Sequence, residues 1–233
     1  MRSKRNPIRT FFLFSLSALL LLVGGYALGQ RFPLTIQTTL FAQTSLEDDI
    51  ELTHRILIIA GHGSDVTGWY DSGAIAYDGE YEATLNNELA KSLQNSLSNY
   101  GVDSDILTEN VYRNMMYYDE PYVFSGYDFV IELHFNASDR GTYTGTEIIY
   151  NSYNASDLSV HQAVADELET LSGSSMIYED DEFLVQRTIA QQNIPSMLLE
   201  TIYIDNYSDY TLYLNNKAAF VDAITQGLLT IYR

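Results

Sequence analysis

Four ionisable side chains stand at the ends of apolar runs in this chain, and their types suit hydrolysis at a metal ion. His62 follows residues 55–60 (RILIIA) and Gly61, and Glu82 opens a long amphipathic stretch. His134 ends the run YDFVIELH, and Glu200 ends SMLLE. Two imidazoles and one carboxylate make a three-ligand zinc site whose fourth position stays open for water, as hydrolytic zinc requires. A further carboxylate can take the proton of that water, and Glu200 is the candidate. The chain has no cysteine, which excludes disulfides, thiolate ligands, a cysteine nucleophile and a lipidated-cysteine anchor, so His, Asp or Glu must hold any metal. Taken singly, each residue also has an ordinary structural reading: a strand-end histidine that only hydrogen-bonds, an acid matched to a helix dipole, a paired core carboxylate. His54 and His161 lack comparable surroundings and read as surface or capping residues.

Strands and helices must bring these residues together. Residues 55–60 are a short β-rich run opening into Gly61-His62-Gly63, a buried strand followed by a tight loop. Residues 81–100 carry Ala83, Leu85, Leu89, Ala90, Leu93 and Leu97 at helical spacing, and Gly101 stops the helix. Further strands are expected at 102–107, 127–135, 146–150, 183–186 and 196–201, and helices at 157–171 and 216–232. The alternation predicts an α/β single domain, a twisted and mostly parallel sheet of about six strands with helices on both faces and its chemistry beyond the strand ends.

At 233 residues, with 46% hydrophobic and 18% charged side chains, the chain has the length and balance of one folded domain plus a leader. Its 12 basic residues face 31 acidic ones, for a formal net charge of -19. Such a body is repelled by phosphates, so no nucleic-acid partner is expected. Arg2, Lys4, Arg5 and Arg9 precede an uncharged stretch at 11–29, the layout of a signal peptide or signal anchor over residues 1–29. The stretch approaches the roughly 20 residues that span a bilayer, and cleavage before Gln30 stays open. Residues 30–53, with the acidic cluster Glu47, Asp48, Asp49 and Glu51, read as a spacer to a catalytic body at 54–233. The positive-inside rule places that body outside the cytoplasm, anchored through residues 11–29 or secreted to the wall.

The local sequences around the four residues resemble those of the zinc-dependent N-acetylmuramoyl-L-alanine amidases often called Amidase_3, over roughly residues 55–233. The family's strand and Gly-His-Gly loop are matched by Ile58-Ile59-Ala60-Gly61-His62-Gly63, and its Asp-x-Gly-Ala turn by Asp71-Ser72-Gly73-Ala74. Its helical Glu, four residues ahead of an Asn, is matched by Glu82 and Asn86, and its His-x-Asn-Ala by His134-Phe135-Asn136-Ala137. A late Pro-x-x-Leu-x-Glu segment is matched by the run Pro195 to Glu200. The resemblance implies Zn²⁺ on His62, Glu82 and His134, Glu200 as the catalytic glutamate, and peptidoglycan as the substrate, cut between N-acetylmuramic acid and L-alanine. Asn136 is then expected to support a ligand or touch substrate, and Arg187 to pair with a substrate carboxylate or form a structural salt bridge.

Two departures stand out. The segment between Gly63 and Asp71 (SDVTGWY) is longer than the compact family form and holds the only tryptophan, Trp69, and Glu80 competes with Glu82 two residues away. Tyr70, Tyr77, Tyr81, Tyr117, Tyr118 and Tyr122 bunch near this half of the site, where packing, surface exposure or stacking on sugar or peptide are all open. Two rival functions remain at this point. One is a zinc peptidase or amidohydrolase of the same fold acting on another amide, and the other is a membrane-tethered wall-binding module without turnover.

Overall fold

The computed structural model describes residues 54–233. The leader and spacer expected at 1–29 and 30–53 lie outside the described residues. Among the described residues no helix is long and apolar enough to cross a membrane.

The central sheet has six strands: β1 (Arg55–Ala60), β4 (Asp103–Leu107), β5 (Phe129–Asn136), β6 (Thr146–Tyr150), β7 (Ser175–Glu179) and β8 (Ser196–Tyr203). Their order across the sheet is β4-β1-β5-β8-β6-β7. Neighbours pair in parallel except β6 with β8. A separate two-stranded ribbon joins β2 (Gly63–Ser64) to β3 (Tyr70–Asp71). Among the described residues five α-helices complete the body: α1 (Glu82–Ser98), α2 (Val111–Tyr118), α3 (Ser159–Ser172), α4 (Leu184–Gln191) and α5 (Tyr207–Leu228).

Strand β1 is apolar on both faces because helices cover both. Ile56, Ile58 and Ala60 join a cluster with Leu85, Leu89 and Leu93 of α1, Val164 and Leu168 of α3, and Phe220 and Ile224 of α5. Leu57 and Ile59 face the other way, toward Val111 of α2 and Val185 and Ile189 of α4. Alternation of side chains along a strand produces the two layers, and burial on both sides is why a parallel strand reads as an unbroken apolar run. The chain reverses after α1 at Gly101, whose φ of 74° suits glycine.

One expected strand is a helix. Residues 183–186 form the N-terminal boundary and first turn of α4, where Val185 and Ile189, one turn apart, pack into the second cluster. The sixth strand is instead β7, an edge strand of mostly half-buried residues that pairs with β6. Helix α2 was not expected, and α5 begins well before residue 216 because Asn206 caps it by accepting from the Ser208 and Asp209 N–H groups. Asn216, with φ −132° and ψ 24°, kinks α5 and breaks its apolar phase.

Candidate metal centre

The four strand- and helix-end residues converge at the carboxyl ends of β1, β5 and β8, the position where open α/β sheets hold their sites. The backbone turns out of β1 at Gly61, and a side chain there would overlap the His134 ring, since a Cβ would lie 2.2 Å from its Cε1. His62 follows in the left-handed region, φ 65°, a strained conformation for a non-glycine residue that turns its ring back over the sheet end. His62 Nε2 lies 3.1 Å from Glu82 Oε2, and His134 Nδ1 lies 2.9 Å from Glu82 Oε1. One ligating atom from each of the three residues can be chosen so that all lie within 4.8 Å of one another.

Glu82 is 4% exposed and firmly held. Its Oε1 accepts from the Phe135 N–H at 3.1 Å and the Asn86 amide at 3.4 Å, and its Oε2 accepts from the Ala74 N–H at 2.8 Å. Gly73, φ 65°, allows that approach, because a Cβ there would fall 2.5 Å from Glu82 Oε2. The alternative acid, Glu80, is exposed and accepts from the N–H of Tyr81.

Both rings are also held from behind. His62 Nδ1 faces Asp71 Oδ2 at 3.0 Å, and Asp71 accepts in addition from the Asn110 amide and the Gly73 N–H. His134 Nε2 faces Glu132 Oε1 at 3.4 Å. The Gln186 amide donates to Glu132 Oε2 at 2.8 Å, and Ser196 Oγ donates to Gln186 Oε1 at 2.9 Å. Sequence reasoning missed Glu132 as a site residue. The signal was an acid two positions before His134, on the same strand face, inside an otherwise buried apolar run. It also missed Gln186, which was assigned to a strand.

The electrostatics of the cluster call for positive charge. Burial alone lowers a histidine pKa, yet the hydrogen bonds and charges of Glu82 raise that of His62, and those of Glu132 and Glu82 raise that of His134 well above the ordinary value. Burial likewise opposes ionisation of Glu82, but hydrogen bonds from the two imidazoles hold its pKa below the ordinary range. Two protons or one divalent cation satisfy such a set. The donors fit zinc in kind: imidazole nitrogen and carboxylate oxygen, no thiolate, with one ligating atom from each residue within 4.8 Å of the others.

Glu200 sits on β8 directly opposite His134 on one side and Glu147 of β6 on the other. Its Oε2 is buried without a hydrogen-bond partner among the described residues, and burial, with the Glu82 and Glu147 charges, pushes its pKa up to about 7. Glu147, also missed from sequence, accepts from the Asn136 amide and from the Tyr178 and Tyr203 hydroxyls. Asn136 therefore supports the carboxylate next to Glu200. His62, Asp71, Glu132, His134 and Glu200 line one cleft of about 550 Å³ whose far wall includes residues 182–185. Arg187 stands on α4 beyond that wall; with hydrogen bonds from Ser152, its charge helps hold Asp181 below the usual carboxylate range. His161 is a core residue, 1% exposed, its Nε2 facing the Ser196 carbonyl at 2.9 Å. His54 is exposed and stacks on Tyr232.

Residues 56–230 match the family described as N-acetylmuramoyl-L-alanine amidase. No curated protein matches the chain. Similar solved structures include the catalytic domain of the CD27L endolysin targeting Clostridia difficile, at 24% identity and TM-score 0.64, covering 76% of this chain and 97% of that one. The catalytic domain of CwlV, an amidase of Bacillus (Paenibacillus) polymyxa var. colistinus, is 20% identical with TM-score 0.60, covering 77% and 98%. The CwlD amidase of Clostridioides difficile, solved in complex with the GerS lipoprotein, is 17% identical with TM-score 0.62, covering 77% and 98%. At these identities the structures carry the fold, whereas the sequence match spans all four converging residues. On that match the chain belongs to the N-acetylmuramoyl-L-alanine amidase family, enzymes that hydrolyse bacterial peptidoglycan.

Proposed function

We propose that the protein cuts the amide between N-acetylmuramic acid and L-alanine with a zinc ion held by His62, Glu82 and His134, and with Glu200 moving the protons. The observation that carries this reading is the convergence of three ligand atoms within 4.8 Å beside a buried carboxylate oxygen that has no partner among the described residues. Zinc at that place supplies Lewis acidity to the scissile carbonyl and to the attacking water. Asp71 and Glu132 hold the far nitrogens of His62 and His134, which sets the tautomer and aims the opposite nitrogen of each ring at Glu82's side of the cluster. Glu200 takes one proton from the water and returns it to the amide nitrogen as the carbon–nitrogen bond breaks, leaving a carboxyl group, which keeps the second water proton, on the lactyl side and an amine on the peptide. A pKa pushed toward neutrality suits a group that must both accept and donate. Asn136 and the two tyrosines anchor Glu147, so the carboxylate facing Glu200 stays in place. Arg187, on α4 beyond the cleft wall, is assigned as the charge partner of Asp181 rather than to the substrate.

The reading places the enzyme outside the cytoplasmic membrane, held or exported by residues 1–29, on the evidence of four early bases followed by an uncharged stretch. The test is digestion of purified peptidoglycan with and without chelator, followed by mass analysis. Free stem peptides with an L-alanine amino terminus, lost on chelation and restored by zinc, are expected. Release of internal amino acids, or full activity in excess chelator, overturns the assignment.

A further inference from the structure

The segment between Gly63 and Asp71 is a built structure. Ser64 pairs with Tyr70 and Gly63 with Asp71 in the β2–β3 ribbon. At its turn Asp65 Oδ1 accepts from the Thr67 N–H, the Thr67 hydroxyl and the Trp69 N–H. The other oxygen, Oδ2, accepts from Arg113 Nε and the Tyr118 hydroxyl, each at 3.3 Å, and the Val66 N–H donates to Asn114 Oδ1. The ribbon is thereby fastened to α2. The Asp65 side chain is fully buried, yet Trp69, which this network positions, remains 51% exposed and Tyr70 49%.

The Arg113 guanidinium lies 3.7 Å from the centroid of the Trp69 ring and 4.8 Å from that of Tyr117. One face of the indole is thus backed by a cation while much of the ring stays in water. Large apolar area left exposed on a rigid mount is the form of a stacking platform, because its ordering cost is met before any ligand arrives. Asp65 cancels the Arg113 charge, so the platform favours an uncharged ring. An aromatic face carries negative quadrupole potential, which suits the polarised C–H groups of a pyranose. Position points the same way. Trp69 is two residues before Asp71, at most about 7 Å along the chain, and Asp71 holds His62. Tyr112, next to Arg113, lines the catalytic cleft. The amide cut in the proposed reaction hangs from a sugar, so a sugar ring must lie within a few ångströms of the reacting carbon.

We propose that Trp69, backed by Arg113, is a glycan subsite that stacks on an uncharged N-acetylated amino sugar of the strand bearing the scissile amide. The inference rests on the peptidoglycan reading but is tested apart from turnover. Trp69 is the only tryptophan, so emission excited at the red edge, where tyrosine is silent, reports on this position alone. The probe is a chitin oligosaccharide, an N-acetylglucosamine oligomer with no lactyl amide, titrated into the full chain and into Glu200→Gln. A saturable change in emission is expected in both. By calorimetry, Trp69→Ala should bind the oligosaccharide about tenfold more weakly, and Trp69→Tyr should recover most of the affinity. Matching circular dichroism spectra exclude misfolding. No response to the oligosaccharide, or equal affinity in Trp69→Ala, overturns the subsite and leaves the amidase reading intact, and would turn attention to a protein partner for this face. Oligosaccharide binding without hydrolysis of peptidoglycan sinks the amidase reading and spares the subsite.

Discussion

Replacing Glu200 by glutamine tests the catalytic assignment and its electrostatic basis together. Burial leads the rise of the Glu200 pKa from an ordinary 4.5 to about 7, and its Oε2 has no hydrogen-bond partner among the described residues. At about 1.4 kcal/mol per pKa unit, keeping this side chain ionised in the folded protein costs about 3 kcal/mol. The sign follows from the direction of the shift. A carboxyl whose folded pKa is raised contributes full stability below its unfolded pKa and loses that contribution as pH rises through the folded value. Between about pH 4.5 and 7 the wild type should therefore lose about 3 kcal/mol relative to Glu200→Gln, which cannot ionise. With an unfolding slope of about 2 kcal/mol per molar urea, the difference between the two midpoints should drift by about 1.5 M across that window. The measurement is urea unfolding of both proteins in chelator, because a nearby cation would stabilise the carboxylate and hide the effect. Turnover of peptidoglycan by the zinc-loaded variant should fall by about 10²–10⁴-fold, the range of general-base catalysis, with zinc content unchanged. A midpoint difference that stays constant with pH refutes the burial argument. Full turnover removes Glu200 from the proton transfer, and lost zinc makes it a ligand.

Glu132→Gln should retain the fold but weaken zinc retention by about 10–100-fold, since the carboxylate behind His134 sets its ring; competition with a chelator measures this, and unchanged affinity would show that Glu132 is only a packed acid. Gly73→Ala should lower zinc content and activity together, because the new methyl lies 2.5 Å from Glu82 Oε2 at a φ of 65°, and a variant with normal zinc would mean that Glu82 can move without penalty. Protease added to intact wall-stripped cells should degrade the catalytic body, and its protection until lysis would reverse the proposed topology.

Residue types and spacing were enough to nominate the site, because the chemistry of a hydrolytic metal demands few kinds of side chain and strand ends are where such sheets present them. Strands β1, β5 and β8 and helix α1 were legible for a similar reason: each is buried in a regular pattern that its own sequence records. Edge strand β7 lacks that pattern because its residues are only half-buried, and the apolar run at 183–185 suits either a strand or the first turn of a helix. The kink at Asn216 hid the first half of α5 by breaking its period.

What only the tertiary structure decided are the pairings between distant segments. Sequence determined that His134 and Glu132 share a strand face, but not that Gln186, 54 residues later, anchors Glu132. Nor does any local pattern place Glu147 opposite Glu200 across antiparallel strands, or Arg113 behind Trp69 by way of Asp65, 48 residues away. Periodicity reports how one element meets the core; it carries no information on which polar atoms of two elements, each buried for its own reasons, come within hydrogen-bonding distance when the sheet closes its register.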